Sequence, residues 1–320
     1  MSNTDTPAIL IVIHGHGFKA EEKSYRQSLE RALRSRLKRD HPTTLAAYDD
    51  LDKTFVYFGD LTNRLLESRG QTYDSVRDTA DRQRALKELE AYAKPKLFSL
   101  SRYDRLPGKS ALKEFLADVG SPLLQSVGLS QKAMARIAPD LMEYWDQHSQ
   151  YRRQVQERIQ TPIQNALDEQ RDLMLIAHGI GSIYAYDALH KLSRERESDA
   201  TSKCQFLTLG SPLGDGMVQS QLAGHTAEPE ARYPRNIRDW HNLAAEDDYF
   251  CHDKTLQDDF YPMLEQGLVQ QIKDHRIYNL AVRYGKSQPQ SLLGYLAHPR
   301  TAQLINHWLI GRGAGKFSEE

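Results

Sequence analysis

At two places in the chain, an apolar run is followed directly by histidine and glycine. The segment His14–His16 follows the run 8–13, and His178 and Gly179 follow the run 173–177. Histidine takes part in acid–base catalysis and binds metal ions, and glycine lets a backbone N–H approach a reacting oxygen. Residues of these types at the ends of two strands therefore indicate hydrolytic or metal-assisted chemistry.

A strand and a helix must position the second of these segments. The run 173–177 is apolar without alternation, which is typical of a strand covered by helices on both faces, and residues 183–189 follow with a helical pattern. Between them lies a tight turn that contains Gly179 and Gly181. The sequence therefore predicts a strand, a sharp turn and a helix.

This order resembles the nucleophile elbow of the α/β-hydrolase family, whose G-x-S-x-G motif presents a serine at the top of the sheet. Residues 177–182 read Ala-His-Gly-Ile-Gly-Ser, so Gly179 stands at the nucleophile position. The resemblance implies an oxyanion hole made by the backbone N–H after His14-Gly15, that of His16, and by the N–H of Ile180. It also implies that His178 lies in the pocket beside them.

Three later segments extend the resemblance. Residues 204–214 read as a strand followed by Gly-Ser-Pro, and residues 237–243 as a W-x-N strand that runs into an acidic loop. By position, the resemblance makes Asp248 the vestigial triad carboxylate, with Asp247 as the alternative. In the last loop the family has a histidine three residues before a tyrosine, and here Leu292 occupies that base position.

The predicted fold is an α/β-hydrolase-like, mostly parallel sheet with helices on both faces. Residues 1–60 and 161–320 are expected to form the core, and residues 61–160 a helical lid inserted between two strands. The expected strands are 8–13, 54–58, 173–177, 204–209, 237–243 and 276–282. The expected helices are 23–39, 79–93, 110–118, 131–146, 151–169 and 300–310, with a helical excursion over 249–274.

The Ser-His-Asp chemistry does not transfer to this sequence, because both the nucleophile and the base are replaced. We therefore expect a pseudo-hydrolase that binds a small-molecule or lipid-like ligand in its pocket, or a protein partner through the lid. The alternative is an active ester or lipid hydrolase whose catalytic groups have moved. Its nucleophile would be Ser182, Ser211 or a bound water, its base His178 or His298, and its carboxylate Asp247 or Asp248.

A metal-assisted hydrolase is the third alternative, because His14, His16 and His178 end neighbouring strands. Against it, the family's turn motifs already account for His14 and His178. His298 precedes Pro299 and reads more naturally as a residue at the start of a helix. No metal and no other cofactor is expected.

Composition excludes several classes of protein. The 320 residues carry 42 basic and 43 acidic side chains, a balance that gives no sign of nucleic-acid binding. The two cysteines, Cys204 and Cys251, lack the spacing of a zinc site and indicate a reducing compartment without disulfides. The apolar run 8–13 is too short for a signal peptide or a membrane span. A cytoplasmic protein is expected.

Overall fold

A six-stranded parallel sheet forms the centre of the molecule. The computed structural model describes residues 7–91, 138–195, 203–251 and 253–311. Within these, the strands lie in the order β2-β1-β3-β4-β5-β6, and every neighbouring pair is parallel. The six strands are β1 (Ala8–Ile13), β2 (Asp52–Val56), β3 (Asp172–His178), β4 (Cys204–Leu209), β5 (Ile237–Ala245) and β6 (Gln271–Ile277).

Helices follow the strands and connect them. Those before β3 are α1 (Glu22–Asp40), α2 (Leu45–Asp49), α3 (Gly59–Ser68), α4 (Ser75–Ala91), α5 (Pro139–Trp145) and α6 (Gln150–Asp168). The later ones are α7 (Gly181–Glu195), α8 (Gly216–Gln219), α9 (Tyr261–Glu265), α10 (Leu292–Leu296) and α11 (Pro299–Gly311). A two-stranded hairpin, β7 (Val282–Arg283) with β8 (Lys286–Ser287), precedes α10.

The two faces of the sheet are covered by different helices. Alternate residues of β1 point to opposite faces, so Ile11 packs with α6 and α7 while Leu10 packs with α1, α10 and α11. All six residues of β1 are buried. A strand buried on both faces must be apolar throughout, which explains why the runs in β1 and β3 do not alternate. The predicted α/β architecture with helices on both faces is confirmed.

The chain reverses its direction of travel across the sheet at β1. It moves from β1 outward to β2 and then returns to place β3 on the other side of β1. The register pairs Ile13 of β1 with Ala177 of β3, so the carboxyl ends of the two strands lie level. In open α/β sheets, a crevice forms outside the carboxyl ends of the strands at such a switch point. Both His-Gly segments leave the sheet here.

Three predicted assignments were wrong. The last strand is Gln271–Ile277, not 276–282, and most of 249–274 is not helical, because only α9 and the start of this strand are regular. β6 lies at the edge of the sheet and carries Lys273, Asp274 and Arg276, so it has no apolar run that marks it as a strand. β2 begins and ends two residues before the predicted 54–58.

The predicted lid segment, 61–160, is described only at its two ends. Residues 92–137 and the expected helix 110–118 lie outside the described residues. Near the first end, α4 packs against α1, and its Leu86 belongs to the second face of the core. At the other end, Val155 and Ile159 of α6 are fully buried in the first face. The described ends are thus integrated into the core, and a lid over the crevice stays a prediction.

Within the described ranges, no helix is both long and apolar enough to cross a membrane.

Candidate functional site

A crevice of about 620 Å³ opens at the switch point, outside the carboxyl ends of β1 and β3. Its walls come from the loop after β1, the end of β3, the start of α4, and the hairpin with the loop that follows it. The inner lining residues are Gly15, His16, Lys19, His178, Gln290 and Leu292. The outer lining residues are Phe18, Tyr25, Thr72, Tyr73, Asp74, Arg77, Asp78, Arg82, Arg283, Tyr284, Gln288 and Ser291.

A larger groove of about 820 Å³ runs along the exposed face of α1. Two of its arginines are paired with acidic side chains: Arg31 with Glu90 at 2.6 Å, and Arg34 with Asp49 at 2.7 Å. Exposed pairs of this kind need no ligand. The crevice at the switch point, where buried polar groups converge, is therefore the better candidate for a functional site.

The turn between β3 and α7 has the sharp geometry that the sequence predicts. Gly179 adopts φ of +54°, in the left-handed region that favours glycine. An added Cβ on Gly181 would lie 2.2 Å from the carbonyl oxygen of His14, so only glycine allows the start of α7 to approach the end of β1 this closely. These two glycines bring the loops after β1 and β3 into contact.

The ring of His14 is held by the fold and takes no part in the crevice. Its Nε2 accepts the N–H of Phe58 at 3.1 Å, so its Nδ1 carries the proton and donates to the carbonyl of Gly15 at 2.9 Å. It also stacks on the ring of Phe58. Burial lowers its pKa well below the usual value. In the described part of the chain, no three metal-ligating side chains lie close enough together to hold a metal ion.

His178 presents an acceptor atom that has no partner. Its Nε2 lies 2.8 Å from the backbone carbonyl of Gln290, so that nitrogen carries the proton and donates it. Burial lowers the ring's pKa to about 3, so the ring is neutral near pH 7 and its Nδ1 has a free lone pair. This Nδ1 is buried and unpaired, and an added Cβ on Gly15 would lie 2.9 Å from it.

His16 and Lys19 form the wall on the β1 side. His16 stacks on the ring of Phe250 at 4.4 Å, and its buried Nδ1 has no hydrogen-bond partner. Burial, then the charge of Lys19, lowers the pKa of His16 to about 3. The Lys19 ammonium donates to the carbonyls of His16 and Gly17, which fixes this loop.

Backbone donors flank Gly179, as the resemblance implies. Neither the N–H of His16 nor the N–H of Ile180 has an acceptor within the described ranges. The N–H of Gly17, by contrast, donates to the buried carboxylate of Asp140 at 3.1 Å. Two unused donors therefore remain near the glycine at the nucleophile position.

Gln290 is the residue of this site that sequence reasoning missed. Its side chain is only 5% exposed, and its Nε2 is buried without a partner. The same Nε2 lies 3.7 Å from the position that a Cβ on Gly179 would take, and is the nearest atom to it. No motif marks Gln290 in the loop before α10, because its proximity to Gly179 arises only when the chain folds.

The positions for the carboxylate and the base are brought close but are not arranged for catalysis. Asp248 accepts the hydroxyl of Tyr295 at 2.8 Å and the N–H of Phe250 at 3.0 Å, and it does not line the crevice. Burial raises its pKa to about 6. Leu292 lines the crevice with an apolar side chain. Asp247, the alternative carboxylate, is half-buried in the turn after β5.

The candidate relocated groups have structural partners. Ser182 donates to the carbonyl of Gly179 at 2.6 Å and shares a hydrogen bond with the hydroxyl of Ser211 at 2.7 Å. Ser211 also accepts the N–H of Leu213. His298 accepts the N–H of Arg300 on its Nδ1, which is the arrangement of a residue at a helix start. It does not line the crevice.

A network of charges ties α4 to the hairpin and closes the outer wall. Arg283 pairs with Asp78 and Asp81, Arg82 pairs with Asp78 at 2.7 Å, and the hydroxyl of Tyr284 donates to Asp78 at 2.9 Å. Burial raises the pKa of Asp78, but Arg82 and then Arg283 outweigh burial and lower it to about 2. The network therefore stays ionised at neutral pH.

Comparison with known proteins gives no relative. No family model, no curated protein and no solved structure matches the chain.

Proposed function

We propose that the protein is a pseudo-hydrolase of the α/β-hydrolase type that binds a small molecule in the crevice without cleaving it. The proposal is carried by one observation: buried polar groups without partners, those of His16, His178 and Gln290, line a crevice at the switch point of the sheet. Such a crevice is the usual place of ligand binding in open α/β sheets.

The loss of catalysis is supported by the same geometry. Acyl transfer by a triad needs a nucleophile, a base that takes its proton and a carboxylate that orients the base. Gly179 has no side chain, Leu292 cannot take a proton, and Asp248 is bound to Tyr295. The hydroxyls of Ser182 and Ser211 bind each other and the backbone, so neither favours a relocated centre.

Binding is tested by screening a small-molecule fragment set against the full chain by two-dimensional amide NMR. Thr72→Trp narrows the opening of the crevice at an exposed position, and Val76→Trp, at an exposed residue that does not line the crevice, serves as the matched control. We expect fragments that shift the amide signals of His16 and Ile180, that bind Thr72→Trp at least tenfold more weakly, and that bind Val76→Trp as they bind the wild type.

The proposal is overturned if no fragment perturbs these signals, or if fragments bind both tryptophan variants equally well. It is also overturned if bound fragments that are esters are cleaved with saturation by the wild-type protein.

A further inference from the structure

The side chain of Gln290 lies beside the place where a side chain on Gly179 would begin. Its amide nitrogen is 3.7 Å from the Cβ position of Gly179, and Gly179 itself is buried and does not line the crevice. Gln290 does line it. The side chain therefore separates the turn at Gly179 from the crevice.

Several hydrogen-bonding groups in the crevice and in the loops after β1 and β3 have no partner in the described part of the chain. The Nδ1 of neutral His178 is an acceptor without a donor. The N–H groups of His16 and Ile180 are donors without an acceptor in the described part of the chain. The amide nitrogen of Gln290 is itself unpaired. Since buried polar groups are normally paired, this arrangement is complete only when another group enters.

The missing group must both donate and accept hydrogen bonds. A primary carboxamide does so: its oxygen accepts from the two backbone N–H groups, and its N–H donates to the Nδ1 of His178. A carboxylate or an ester has no N–H for that nitrogen and would place an oxygen lone pair against it. The side chain of Gln290 is itself a carboxamide, so a group of this shape already fits beside Gly179.

We propose that the site next to Gly179 takes the carboxamide head of a small molecule, which displaces the side chain of Gln290 on binding. This inference rests on the proposed function and specifies its ligand. Displacement is easy because the amide nitrogen of Gln290 gives up no hydrogen bond when it leaves. The rings of Phe18 and Tyr73, stacked 4.8 Å apart, also line the crevice, so an aromatic group of the ligand can pack against them.

Calorimetric titration with three probes of one shape tests the inference: 3-phenylpropanamide, 3-phenylpropanoate and methyl 3-phenylpropanoate. Gln290→Ala removes the competing side chain and is expected to bind the amide at least tenfold more tightly than the wild type does. Gln266→Ala, at an exposed glutamine that does not line the crevice, is the matched control and should bind as the wild type. The acid and the ester should bind every variant at least tenfold more weakly than the amide.

A second measurement does not depend on whether a variant folds. In the wild type, saturating amide should shift the backbone amide signals of His16 and Ile180, and the side-chain amide signals of Gln290 should move as it leaves its buried place.

The outcomes separate this inference from the proposal on which it rests. Tighter binding of the acid or the ester than of the amide, or weaker binding of the amide by Gln290→Ala, overturns the carboxamide inference and leaves ligand binding in the crevice standing. If none of the three probes binds to Gln290→Ala, the inference is also overturned. The fragment screen then decides the proposed function independently.

Discussion

The backbone conformation of Gly179 affects the stability of the fold. Its φ of +54° costs little for glycine, whereas a residue with a side chain is strained there. Space is not the obstacle, because an added Cβ would meet its nearest neighbour at an ordinary 3.7 Å. Glycine therefore adopts this turn without the backbone strain that a side chain would bring.

Gly179→Ala should lower the free energy of unfolding by about 1 kcal/mol. The strain of roughly 1–3 kcal/mol exceeds the gain of about 0.4–1 kcal/mol from the reduced freedom of the unfolded chain. The melting temperature should fall by roughly 2–4 °C. Gly216→Ala, at a glycine without positive φ and with open space around it, is the control and should not melt lower than the wild type. A higher melting temperature for Gly179→Ala contradicts the strain argument.

The buried carboxyl of Asp248 gives a second prediction, because burial raises its pKa above the ordinary value, to about 6. The folded state therefore holds its proton more tightly than the unfolded state. The free energy of unfolding, relative to that of Asp248→Asn, should be constant below about pH 4. It should fall by roughly 3 kcal/mol in total between pH 4 and pH 6 and be constant again above pH 6. Denaturant unfolding of both proteins across this pH range measures the difference. Parallel curves would show that Asp248 is not buried as described.

Gln290 shows why single residues of the site escape sequence reasoning. The His-Gly segments were predictable because each follows an apolar strand, and the position of Gly179 was predictable from the motif around it. Gln290 belongs to no motif and reaches Gly179 only because the loop before α10 folds over the end of β3. The bond between Tyr295 and Asp248 was equally invisible, since it joins two loops that are distant in sequence.

At the scale of elements, apolar strands are predictable and polar edge strands are not. β1, β3 and β4 are covered on both faces, so their sequences are apolar runs that indicate their place. β6 has one neighbour and carries charged residues, and its strand geometry comes from pairing with β5. The strands that position the site belong to the first kind, which is why its location could be predicted.

The charge network between α4 and the hairpin should stabilise the folded protein. Arg283 is 9% exposed and pairs with two carboxylates, so Arg283→Gln leaves Asp78 and Asp81 buried with less compensation. We expect a loss of about 3–5 kcal/mol in the free energy of unfolding. Arg77→Gln, which removes an exposed arginine from the same wall, should cost less than about 1 kcal/mol. Denaturant titration measures both, and equal losses would contradict the buried network.

For the molecule as a whole, we propose that the fold has the parts of a hydrolase without their catalytic arrangement. Gly179→Ser with Leu292→His should give no esterase activity, because Gln290 still covers the turn. Adding Gln290→Ala should give weak turnover, since backbone donors near the turn stabilise the oxyanion. The control is Gly179→Ala with Leu292→His and Gln290→Ala, which lacks the nucleophile and should show no such turnover. Activity in the double variant alone would show that Gln290 does not close the site.

Turnover of p-nitrophenyl butyrate by the wild-type protein shows directly whether the protein lacks esterase catalysis. We predict a rate no higher than that of Gly179→Ala, which rises linearly with substrate concentration and does not saturate. The reason is that, among the described residues, no nucleophile is paired with a base that could take its proton. Saturable turnover that Ser211→Ala or His298→Ala abolishes would contradict it and identify an active hydrolase with a relocated centre.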